Sequence, residues 1–107
     1  MFKLNIKRTY QYPVAVTVLD GNQEQTGEFT ATFRVVSNDE LRSPENAKKT
    51  LLDMVLVSVE GIEVDGADGQ PLTGEALLNA VKADPATATA LVTAYQESVT
   101  KKNRAPT

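Results

Sequence analysis

The chain has 107 residues, a length suited to one domain with a modest core. Hydrophobic residues make up 41% and charged residues 23%, the balance of a globular domain, with a net charge of −3. The absence of Cys and His removes thiol chemistry, disulfide staples, the usual general base near neutral pH and the commonest metal ligand, while mild acidity and 6% aromatic content argue against nucleic acid as a partner.

At the N-terminus Phe2, Leu4 and Ile6 alternate with Lys3, Asn5 and Lys7, which predicts a strand with one buried face. The same alternation interrupts any signal-like apolar run. No apolar stretch approaches the roughly 20 residues needed to cross a bilayer, so a cytoplasmic protein without membrane contact is expected. Val14, Val16 and Val18 then form a second period-2 run opened by Pro13, and Phe29, Ala31, Phe33 and Val35 form a third. Turn residues Asp20-Gly21-Asn22 lie between them, so the two runs predict a β-hairpin joined by a polar loop of about seven residues, Asp20 to Gly27.

The middle of the chain changes period. Ser43-Pro44-Glu45 reads as a helix start, with Ser as cap and Pro in the first turn. Leu51, Leu52, Val55, Leu56 and Val59 follow at helical spacing, while Met54 and Val57 are apolar off that stripe. Such a helix is either buried on two sides or meets another chain with one of them. A strand through Val55, Val57 and Val59 is the other reading of the same run. Leu52, Met54, Leu56 and Val57 are the candidate protein-interface residues.

Glu60, Glu63, Asp65, Asp68 and Glu75, punctuated by Gly61, Gly66 and Gly69, predict a solvated acidic loop or short hairpin. A calcium loop is excluded. Placing Gly66 or Gly69 at the invariant glycine puts Gly61 or Val64 at the first ligand position, where an oxygen-bearing side chain is required. Thr73 then caps a helix that presents Leu77, Leu78 and Val81. Asp84-Pro85 ends it and opens the last helix, with a stripe of Ala88, Leu91, Val92, Tyr95 and Val99. Lys101 to Thr107 is basic and lacks an apolar stripe, predicting a flexible tail after a single domain spanning residues 1–100. The expected fold class is α+β: an N-terminal antiparallel hairpin sheet followed by about three α-helices.

No nucleophile elbow, P-loop or dinucleotide fingerprint occurs, and the acidic residues cluster on one loop instead of facing one another across a cleft. No enzymatic activity, cofactor or metal is therefore expected, and function falls to binding.

The order of segments carries a resemblance. Leu51-Leu52-Asp53-Met54-Val55-Leu56-Val57-Ser58-Val59-Glu60-Gly61-Ile62 leads to Asp68-Gly69-Gln70-Pro71-Leu72-Thr73, then Glu75-Ala76-Leu77-Leu78, Pro85, Ala94-Tyr95 and Lys102-Asn103. Upstream lies Phe29-Thr30-Ala31-Thr32-Phe33-Arg34. This succession resembles the tail assembly chaperone family of long-tailed bacteriophages, whose members show an "LLDEVL-x-x-W-x-G" segment, a "DG-x-P" turn, an "E-x-L-x-x-LL" helix, a late "AY" and a strand "F-T-A-x-F-R". Val59 stands where the family has a frequent Trp, so no role for that ring carries over.

The resemblance implies a non-enzymatic chaperone that binds the phage tape measure protein in the host cytoplasm before the tail tube assembles. It implies absence from the mature virion, with the major tail protein as a further contact, while the exposed apolar helix faces add self-association as an expectation. It also implies a second, frameshifted product, for which Lys102-Asn103 is the corresponding site. The competing reading is a small structural virion protein of the tail, a tail-tube or connector subunit made from the same parts.

Overall fold

The computed structural model describes residues 1–44 and 50–102. The element order is β1 (Thr9–Asp20), β2 (Gln23–Arg34), α1 (Asn38–Arg42), α2 (Leu51–Val55), β3 (Leu56–Glu60), α3 (Gly74–Ala83) and α4 (Pro85–Lys102). The strands form one antiparallel sheet in the order β1-β2-β3. α3 and α4 pack on one of its faces, giving an α+β fold.

The hairpin follows the valine and phenylalanine alternation. Val14 pairs with Phe29, Tyr12 with Ala31 and Tyr10 with Phe33, so even positions of β1 and odd positions of β2 share the inner face. The expected seven-residue loop is replaced by strand: pairing continues to Asp20↔Gln23, leaving a turn of Gly21-Asn22. Gly21 has φ +65° whereas Asn22 does not have positive φ. A glycine-first turn of this type twists in the same sense as the strands it joins.

The N-terminal alternation does not form a strand among the described residues. Phe2, Leu4 and Ile6 are 86%, 61% and 68% exposed, with no sheet partner. The Asn5 side chain accepts the Lys7 N–H at 3.0 Å, and the Asn5 carbonyl accepts from the Arg8 guanidinium at 3.0 Å, turning the chain toward β1.

The helix start expected at Ser43-Pro44-Glu45 is described only at its first two residues, of which Pro44 is in a 3-10 turn. Ser43 ends α1, a short helix capped at its other end by Ser37, whose hydroxyl accepts the Glu40 N–H at 3.1 Å. Glu45 lies outside the described residues. Thr50 begins α2 through a capping box: its hydroxyl accepts the Asp53 N–H, and the Asp53 carboxylate accepts the Thr50 N–H, each at 3.2 Å. Helix gives way directly to strand at Leu56, so the single helical stripe through Val59 is not formed, and the strand reading holds for the second half of the run.

The core joins Val14, Phe29, Ala31 and Phe33 of the sheet to Leu52, Met54, Val55 and Leu56 of the α2–β3 unit and to Val81, Leu91 and Ala94 beneath. Phe33 is its centre. Tyr95 meets the Phe33 ring edge-on at 5.4 Å between centroids, and Tyr10 lies 6.0 Å away on another side.

The last helices follow the expected caps. Asp84 accepts both the backbone N–H of Thr87 at 2.9 Å and its hydroxyl at 2.8 Å. Thr73 occupies the N-cap of α3, without a side-chain bond. Of the expected α4 stripe, Leu91 is buried and Ala88, Val92 and Tyr95 pack against the core, while Val99 faces outward; Thr87, Ala94 and Ser98 are buried as well. Hydrophobicity alone missed Thr87 and Ser98, because these buried positions carry hydroxyls whose hydrogen bonds are made internally. α4 runs through Lys102, and the rest of the expected basic tail lies outside the described residues.

Candidate binding surfaces

Leu52, Met54 and Leu56 are buried, so packing within this chain accounts for their apolar character. Val57 alone of the four interface candidates is exposed, at 43%. The cause is a β-bulge. Thr32 pairs with Ser58 but Phe33 pairs with Leu56, so Val57 is an extra residue on β3. The bulge lets Leu56 and Val59 both reach the inner side while Val57 and Ser58 turn away from it.

Val57 and Ser58 border a surface groove of about 380 Å³ between β3 and α3, completed by Val59, Gly74, Leu77 and Leu78. Glu75 stands at its rim. The groove lies along an edge strand beside a half-buried helix face, and its apolar lining suits a side-chain row from an amphipathic helix. Leu77 and Leu78 are the α3 residues expected from sequence to lie on one face.

A second, larger cleft of about 520 Å³ lies under the far half of the hairpin. β3 pairs with β2 only from Thr30 to Phe33, and Gly61, at φ +82°, carries the chain away from the sheet. Between Gln23 and Phe29 the β3-side edge of β2 therefore has no strand partner among the described residues. Val16, Val18 and Phe29 line the cleft from the hairpin, Ile62 and Val64 from the following loop, and Val81 from α3. No sequence pattern pointed to this cleft, because it depends on where β3 stops.

The acidic segment forms the short hairpin expected. Asp65 and Pro71 make an isolated bridge, Gly66 N–H donates to the Gln70 carbonyl at 2.8 Å, and Leu72 N–H to the Val64 carbonyl at 2.8 Å. Asp68 accepts the Gln70 N–H at 3.0 Å and so acts as a turn residue. Among the described residues no three acidic side chains converge as a metal site.

Shifted carboxylates have structural causes. The Lys82 ammonium, 3.1 Å from Asp53, and then the Thr50 backbone and side chain hold the Asp53 carboxyl below its usual range. Asp84 is lowered by the Thr87 backbone N–H and then by its hydroxyl. Burial raises the Tyr95 phenol, with nearby Tyr10 adding to the effect. Each shifted group stabilises a helix end or fills the core, and none lines the β3–α3 groove. No described helix is long and apolar enough to cross a membrane. Compared with protein-family models, curated proteins and solved structures, the chain matches none.

Proposed function

We propose that the chain is a non-enzymatic phage tail assembly chaperone that binds the tape measure protein in the host cytoplasm during tail morphogenesis. The ordered correspondence of short segments from Leu51 to Asn103, together with Phe29 to Arg34, carries this reading. The β3–α3 groove supports it chemically. A long helical client needs its apolar side covered before assembly, and a groove rimmed by Val57, Leu77 and Leu78 offers a complementary surface.

Coexpression with a tape measure protein of a long-tailed phage tests the proposal. The two are expected to copurify, and Val57→Asp is expected to abolish the complex. Because Val57 is an exposed bulge residue, the variant keeps its circular dichroism and melting temperature. Loss of folding in Val57→Asp would move Val57 from the binding surface to the core. Recovery of the chain in many copies from purified particles would overturn the chaperone role and make it a structural tail subunit.

A further inference from the structure

Two unpartnered features of the fold match each other. One is the segment Phe2-Lys3-Leu4-Asn5-Ile6-Lys7, which has the alternation of a strand and pairs with no strand among the described residues. The other is the β3-side edge of β2 from Glu24 to Glu28, which belongs to a sheet and has no strand beside it among the described residues. We propose that the N-terminal segment of a second copy of this chain adds to the sheet at that edge, filling the cleft beneath the hairpin.

The side-chain pattern fits on both faces. Pro13 has no N–H and stands opposite Thr30, which makes this a pair without mutual hydrogen bonds. Even residues of β2 therefore direct their backbone groups toward the β3 side, in keeping with odd-numbered Val35, whose N–H donates to the Arg8 carbonyl on the β1 side at 3.1 Å. On the open stretch these residues are Glu24, Thr26 and Glu28, all exposed on the outer face. A strand added there presents alternate side chains to that outer face and to the cleft. Lys3, Asn5 and Lys7 then meet Glu24, Thr26 and Glu28, a basic-polar-basic set against an acidic-polar-acidic one in either strand direction. Phe2, Leu4 and Ile6 enter the cleft against Val16, Val18 and Val64. Gly27 faces the same side, and its missing side chain leaves open space for an incoming ring.

The donor must be another copy. The open edge lies opposite Ala15 to Leu19, whereas the donor segment joins the sheet at Thr9. Six residues of strand separate Thr9 from Ala15, about 20 Å. Ile6, three residues before Thr9, reaches at most about 11 Å. The segment cannot lie along its own chain's edge. Exchange closes as a reciprocal dimer or as a ring, according to the angle between donor and acceptor.

Light scattering after size exclusion, at low ionic strength and up to about 200 µM chain, tests the exchange by charge reversal. The wild-type chain is expected to show a mass above monomer that Leu4→Asp reduces to monomer. Glu24→Lys/Glu28→Lys and Lys3→Glu/Lys7→Glu are each expected to be monomeric alone. Mixed together they associate again, because each supplies the charge that the other lacks. All substituted positions are exposed, so circular dichroism should match wild type throughout. A monomeric wild-type chain, association untouched by Leu4→Asp, or a mixture that stays monomeric would each overturn the proposal.

Discussion

Ser98 has no exposed surface, yet it carries a hydroxyl in the middle of the α4 contact with the sheet. That hydroxyl lies 2.7 Å from the Tyr95 carbonyl and 2.7 Å from the Tyr10 hydroxyl. A serine has one proton to give. A carbonyl can only accept, so the Ser98 proton goes to Tyr95, and Tyr10 must donate to Ser98. The bond ties β1 to α4 across 88 positions of sequence. Ser98→Ala removes the acceptor of the Tyr10 hydroxyl within the α4 contact, a loss of about 1–2 kcal/mol. Tyr10→Phe keeps the ring against Phe33 and leaves the Ser98 proton on its carbonyl, so it costs less, about 0.5–1.5 kcal/mol. The double variant loses only once the same Tyr10–Ser98 bond that each single variant removes. Its destabilisation is expected to fall short of the summed single effects by about 1 kcal/mol. Urea unfolding of the four proteins measures each free energy, and melting temperatures should fall by about 4–8 °C per kcal/mol. Additivity within about 0.3 kcal/mol would refute the assigned donor and acceptor.

Phe33→Ala empties the centre of the aromatic cluster and is expected to cost about 3–5 kcal/mol, read as a collapse of the urea midpoint. Asp84→Ala removes the acceptor for the Thr87 N–H and hydroxyl, costing about 1–2 kcal/mol near neutral pH. Because the folded carboxyl lies below its usual 3.8, that stabilisation is complete above about pH 4–5 and disappears as pH falls through the folded value. Thermal melts from pH 7 to pH 2 should therefore bring variant and wild type together at the acid end, with Asp53 still contributing to the remaining slope. Gly61→Ala forces an L-residue to φ +82° where β3 leaves the sheet, and an increase in unfolding free energy would contradict the expected loss of about 1–2 kcal/mol.

The elements most legible in the sequence have short-range signals that agree with their packing. β1 and β2 alternate cleanly, and the Asp84-Pro85 cap marks the start of α4 without ambiguity. The α2–β3 run was harder, because six adjacent apolar-rich positions satisfy helix and strand periods alike. Thr50 and Asp53 carried the deciding capping signal, while the bulge at Val57 hid the strand's alternation. Phe2, Leu4 and Ile6 have the pattern of a strand, but the turn at Asn5 to Arg8 leaves them off the outer edge of β1, which lies next to them in the chain. The groove at Val57 was half legible: an apolar surface was expected, but three of its four residues were needed inside. The cleft under the hairpin was invisible because its walls come from four distant segments.

The partnership between β1 and α4 also sets a schedule for synthesis. The hairpin can pair locally within microseconds of leaving the ribosome. Its inner face, with Phe29 and Phe33, then waits for Leu91, Ala94 and Ser98 to be made. At about 5–20 residues per second that interval lasts several seconds. Throughout it the nascent chain displays a ready-made sheet with one uncovered apolar side, and completion of α4 is the event that closes it.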